Sequence, residues 1–157
     1  MPIRASAPAI EGHDFRFELP STWHADATAD RPTFLGPQGA EVLLSASHVT
    51  GSGPHAEAVA IRESLLANAE RSMLEASAHP DLTAATNVER VTSSSGGRFL
   101  RLDTSTIDGA VRFAQFAVPC ANTVVLISYE APTHAHEDHR DLLRAIDLLT
   151  MHHATSR

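Results

Sequence analysis

The side chains with the most chemical potential stand together late in the chain, in the string Thr133-His134-Ala135-His136-Glu137-Asp138-His139. Imidazole nitrogens and carboxylate oxygens are zinc ligands, so His134, His136 and His139 could hold one ion and Asp138 could join a second. A water bound there would become a nucleophile near neutral pH. His136 and His139, three residues apart, can share a helix face. The competing reading is a solvated helix start in a chain with ten histidines, and the surrounding sequence favours it. Glu137 and Asp138 then serve as first-turn carboxylates that suit the helix dipole.

No other set of residues converges on a reaction. Cys120, the only cysteine, follows Pro119 at the end of an apolar run and reads as a packing residue, and it leaves no intrachain disulfide to form. Ser45, Ser47 and Ser93 to Ser95 lack the glycine-flanked elbow of a serine hydrolase. Gly51-Ser52-Gly53 and Gly96-Gly97 read as turns, because neither has the spacing of a phosphate cradle. His48 reads as a hydrogen-bonded rim residue, His152 and His153 as the solvated end of a helix, and Trp23 as a packing group. The spacing His-x-His-x-Asp-His resembles the metal-binding motif of the metallo-β-lactamase family. That family draws further ligands from well downstream, whereas eighteen residues follow His139, so the likeness extends to the motif and not to the enzyme.

Composition narrows the partners. Twelve basic residues against nineteen acidic ones give a net charge of -7, which repels phosphate backbones and argues against nucleic acid. All twelve are arginines, and the absence of lysine excludes Schiff-base chemistry and the lysine-containing phosphate loop. Alanine richness without lysine points to a high-GC bacterial source. No stretch is apolar enough for a membrane span or a signal peptide, so the expected location is cytoplasmic.

The elements that must position these residues follow from hydrophobic rhythm. Residues 1–13 read as a loose arm. Phe15, Phe17 and Leu19 alternate with Arg16 and Glu18 as a half-buried strand ended by Pro20. Strands follow at Thr33 to Leu35 and Glu41 to Val49, and tight turns imply antiparallel pairing of all three. Between His55 and Ala78 the period changes: Ala58, Ile61, Leu65, Ala69, Met73 and Ala76 mark a helix that His79-Pro80 stops. Four more strands are expected, Asn87 to Ser93, Arg98 to Ile107, Ala110 to Val118 and Thr123 to Glu130. Asp108-Gly109 and Pro119 to Asn122 supply two of the turns between them. The last two strands are apolar on both faces and should be central. A helix from Ala135 to His152 carries Leu142, Leu143, Ile146 and Leu149 on one side, and 153–157 reads as a tail.

This order, with the opening Phe15-x-Phe17-x-Leu19-Pro20-x-x-Trp23, resembles the PsbP-like superfamily. That superfamily includes extrinsic photosystem proteins, Ran-binding import factors of the Mog type and bacterial chaperones of secreted effectors. The resemblance spans about Asp14 to Leu149. It implies an α+β fold in three layers, a twisted antiparallel sheet of six or seven strands with helices on both faces, as one domain over 14–152. Most relatives of that kind bind proteins. The expectation is therefore a non-catalytic adaptor or chaperone-like module for a protein or peptide, linked to secretion and able to form a homodimer, with no cofactor. The alternatives are a metal-dependent hydrolase built on His134, His136, Asp138 and His139, and an immunity or inhibitor protein whose acidic surface blocks a basic toxin.

Overall fold

A computed structural model describes residues 7–154 apart from 13, 49–54, 84–86, 95 and 122. Its elements are β1 (Ala9–Glu11), β2 (Arg16–Glu18), β3 (His24–Ala25), β4 (Thr33–Leu35), β5 (Glu41–His48), α1 (His55–Ser77), β6 (Glu89–Thr92), β7 (Arg98–Ser105), β8 (Val111–Cys120), β9 (Thr123–Pro132) and α2 (His136–Ala154). Seven strands form one antiparallel sheet in the order β3-β4-β5-β9-β8-β7-β6. The sheet is the expected α+β framework, with β9 at its centre and β8 beside it.

Alternation along the central strands feeds two separate cores. Val125, Ile127, Tyr129 and Ala131 of β9, with Phe116 and Val118 of β8 and Val42 and Leu44 of β5, pack beneath Leu142, Ala145, Ile146 and Leu149 of α2. The opposite face presents Val124, Leu126, Ala117, Leu100 and Leu102 to Leu65, Ala69 and Met73 of α1. A strand apolar on both faces is thus covered from both sides.

Four sequence expectations are corrected. Ala9–Glu11, expected in a loose arm, pairs with Arg16–Glu18 in register Ile10↔Phe17, and Ile10 packs on the core. β2 consequently lies outside the main sheet and does not pair with β4. The turn at Pro20, where Trp23 N–H donates to Pro20 O, breaks the chain's path. Phe15, Phe17 and Leu19 instead lay a ribbon beside α2, with the Phe17 and Phe34 rings 5.9 Å apart. Pro119 and Cys120, expected in a turn, belong to β8, opposite Val124 and Thr123. A proline is tolerated here because it sits next to the strand end. α2 also continues to Ala154, two residues into the expected tail.

The Asp108-Gly109 hairpin forms as expected. Gly109 has φ 75, Gly109 N–H donates to Thr106 O, and Asp108 Oδ1 accepts from the Thr106 hydroxyl and Ala110 N–H. Those two donors hold the Asp108 carboxyl below its ordinary value.

Candidate functional site

The histidine string begins α2, and its side chains part company there. Glu137 and Asp138 N–H, two of the first-turn donors that a helix leaves unpaired, donate to Gln38 Oε1 at 2.8 and 3.1 Å. Asp138 answers: its Oδ2 accepts from Gln38 N–H at 2.9 Å and Ala40 N–H at 3.1 Å. The exchange fastens the start of α2 to the turn between β4 and β5. That turn needs glycine at Gly36, since a Cβ there would lie 2.4 Å from Asp138 Oδ2 and 2.9 Å from the Trp23 ring.

Asp138 is fully buried, and its Oδ2 is taken up by two backbone amides. His139 is half-buried against Tyr129, with ring centroids 5.6 Å apart. Burial, then Arg112 and Arg101, push its imidazole below the ordinary value. His134 and His136 are exposed. Among the described residues, no three His, Cys, Asp or Glu side chains are grouped to hold a metal ion.

The remaining candidates are structural in their contacts. Burial, and secondarily Asp14, push the Cys120 thiol up to about 12, so it stays protonated and weakly nucleophilic. Trp23 is buried with its Nε1–H donated to Asp141 Oδ2 at 3.0 Å, tying the turn between β2 and β3 to α2. Ser93 Oγ accepts from Gly97 N–H and the Thr150 hydroxyl, which holds the hairpin between β6 and β7 to the far end of α2. The side chains of His48, His152 and His153 lie outside the described residues.

The open feature lies on the other face. α1 packs on β7, β8 and β9 and is tied at its flanks, by Arg90 to Glu70 at 3.6 Å and by Arg62 to Ala121 O at 3.0 Å. Two adjoining hollows of about 400 and 430 Å³ remain between helix and sheet, sharing Ala76 and Gln115. The first runs along the flank of α1 marked by Leu65, Ala69, Ser72 and Ala76, at helical spacing. Its floor is the uncovered part of β5, β9 and β8, where Ser45, Ser47, Ser128 and Gln115 stand among Val124 and Leu126. The second rounds the end of α1 between Leu102, Thr104 and Phe113.

Charged groups stand at the far limits of this groove. Arg31 is at the β4 side, while His79 and Asp81 are beyond α1. Asp81 N–H donates to His79 Nδ1 at 3.1 Å, and Leu82, the next residue, bridges to Thr106 past β7. β4 and β7 are four strand spacings apart, roughly 19 Å, so these groups cannot share one reacting centre. The walls and floor between them offer apolar contact and neutral hydrogen bonding.

Arg31, Asn68 and Gln115 escaped the sequence reading as site residues. Asn68 and Ser72 do interrupt the apolar stripe of α1, and the small, polar Ser45 and Ser47 occupy the β5 positions that face that helix. Both are signs of an element that packs incompletely.

No family model matches the chain, and comparison with curated proteins gave no match. Solved structures do match. The solution structure of cyanobacterial PsbP (CyanoP) from Synechocystis sp. PCC 6803 aligns with TM-score 0.51 and 10% identity, over 92% of this chain and 91% of that one. The crystal structure of LpqN, described as involved in cell envelope biogenesis of Mycobacterium tuberculosis, aligns with TM-score 0.51 and 16% identity, over 92% and 87%. The Ran-binding protein Mog1p of Saccharomyces cerevisiae aligns with TM-score 0.45 and 10% identity, over 96% and 88%. The first two likenesses establish the PsbP-like fold that the Phe15-to-Trp23 opening implied.

Proposed function

We propose that this PsbP-like fold serves as a non-catalytic adaptor or chaperone-like module that holds an extended peptide segment of a partner protein in the groove beside α1. The carrying observation is the groove's make-up: apolar walls, a floor of hydroxyl and amide side chains, and titratable groups only at its two limits. An extended peptide presents an N–H or C=O at every step and side chains to alternate sides. Ser45, Ser128, Asn68 and Gln115 can satisfy the former, while the partly covered Leu65 and Leu126 receive the latter. Among the described residues, no helix is long and apolar enough to cross a membrane.

Ala76 is exposed and lines both hollows, so Ala76→Trp fills the groove without entering the core. Random dodecapeptides displayed on phage and selected on the wild-type protein should lose binding to Ala76→Trp while its circular dichroism stays native. Selected peptides that bind the variant undiminished would defeat the reading.

A further inference from the structure

We infer that the bound segment carries a carboxylate at the β4 side of the groove, received by Arg31; this rests on the peptide-groove reading and specifies its ligand. Thr33 lies opposite Leu43 in the β4–β5 register, so continuing that ladder by two residues sets Arg31 opposite Ser45. Both residues line the same hollow, in which Arg31 is the only charged residue among those described. Arg31 is exposed. Among the described residues its guanidinium has no carboxylate in salt-bridge range, whereas Arg16, Arg90 and Arg101 are paired with Glu11, Glu70 and Asp103. In a chain of net charge -7, an uncompensated cation at the mouth of a neutral groove sets a direction for whatever enters.

Two chemistries bring a carboxylate to an apolar groove, a peptide and a fatty acid, and the floor separates them. Ser45 pairs with Leu126, Ser47 with Val124, and Ser128 stands between Leu43 and Gln115. Hydrogen-bonding groups are therefore interspersed with apolar ones across the floor. An alkyl chain would dehydrate those hydroxyl and amide groups without replacing their bonds to water, a cost that a peptide backbone avoids by bonding to them. Crossing from β4 to β7, roughly 19 Å, takes about six extended residues. The ligand is thus a segment of about that length with apolar side chains on alternate residues and an aspartate, glutamate or carboxyl terminus at the Arg31 end.

The probe is the set of dodecapeptides enriched by phage selection on the full wild-type chain, synthesised with a fluorophore and titrated by anisotropy. They should carry an acidic residue at a fixed spacing from two apolar ones. Arg31→Gln should weaken them about fivefold, the effect of one solvent-reached ion pair. Neutralising the peptide's acid should cost the same, and combining both changes should cost no more than either alone. Ala76→Trp, or Ser128→Trp at a second exposed groove position should the first variant fold poorly, should abolish binding. Peptides blocked by these variants but indifferent to Arg31→Gln would overturn the carboxylate and leave the groove reading intact. No enriched peptide, or enriched peptides indifferent to both groove-filling variants, would overturn both readings. Palmitate binding that depends on Arg31 and displaces the peptides would reassign the carboxylate to a lipid and overturn the peptide.

Discussion

Asp138→Ala separates a structural carboxylate from a metal ligand, because the two roles predict opposite responses. In the fold, Asp138 Oδ2 accepts from Gln38 N–H and Ala40 N–H, and Ala40 is buried, so its freed donor cannot return to water. Hydrogen bonds to a charged acceptor are worth about 1.5–3 kcal/mol each; taking the low end for the half-exposed Gln38 and the middle for Ala40 gives about 3.5 kcal/mol. Loosening the turn also withdraws Gln38 Oε1 from the start of α2, a loss of roughly 1 kcal/mol by analogy with helix caps. Against this stands the relief of burying a carboxylate whose Oδ1 has no partner among the described residues, an offset of about 1–2 kcal/mol. The net expectation is a loss of about 3 kcal/mol for Asp138→Ala. Asp138→Asn, which keeps one acceptor oxygen on the same amides, should lose about 1 kcal/mol. Urea unfolding followed by far-UV circular dichroism measures both, and added Zn²⁺ should leave the midpoints in place. A loss under about 1 kcal/mol for the alanine variant, or a Zn²⁺-induced rise in midpoint that the variant abolishes, would refute the structural assignment.

Three further outcomes test the packing. Gly36→Ala should destabilise by about 2 kcal/mol, because its Cβ would press on both the Asp138 carboxylate and the Trp23 ring; denaturant titration reads this directly. Leu142→Ala should cost about 3 kcal/mol in the same assay, and Ile61→Ala, at an exposed position of α1, under about 0.5 kcal/mol. Cys120 should be silent to a thiol reagent in the native state. In the unfolded chain its thiol releases its proton from about pH 9, while the folded chain holds it up to about 12. The folded state therefore binds more protons in that window. Its stability is full below pH 9 and falls as pH rises from 9 towards 12, by up to about 1.4 kcal/mol per pH unit. Cys120→Ala should flatten this alkaline limb, as urea midpoints against pH would show; a limb unchanged by the substitution would contradict the buried thiol.

The sheet was legible because its pattern is chemical as well as periodic. Val124 to Ile127 are apolar on both faces, and a strand of that kind must be buried twice, so its central place followed from sequence alone. The end of α1 and the start of α2 were legible through His79-Pro80 and the first-turn carboxylates. The partner of β2 was hidden, since the alternation of Phe15, Phe17 and Leu19 states which side is buried and not which strand lies alongside. The role of Asp138 was hidden in the histidine string because a carboxylate that caps a distant turn has the same sequence as one that binds a metal. Its partners, Gln38 and Ala40, are about a hundred residues away in the chain. The groove left only a faint trace, because small polar residues at Ser45, Ser47, Asn68 and Ser72 read equally well as ordinary solvent-facing positions until α1 is seen to stand over part of the sheet.

The two faces divide the work of the molecule. On the α2 side Leu142, Ile146 and Leu149 are fully buried, and each fully buried side chain of that kind contributes about 2 kcal/mol. Caps, the Trp23 to Asp141 bond and the Ser93 to Thr150 bond also fasten that helix at both ends. On the α1 side the buried apolar residues of the helix, among those described, are Ala69 and Met73, with Leu65, Leu66 and Leu74 only partly covered. Stability therefore comes chiefly from one face, and the other can keep hydroxyl, amide and arginine side chains in an open groove at little cost to the fold. The same asymmetry makes the groove experimentally separable. Substitutions at Arg31, Ala76 and Ser128 alter the groove where no large buried side chain depends on them, so the proposed peptide binding can be tested there without a matching loss of stability.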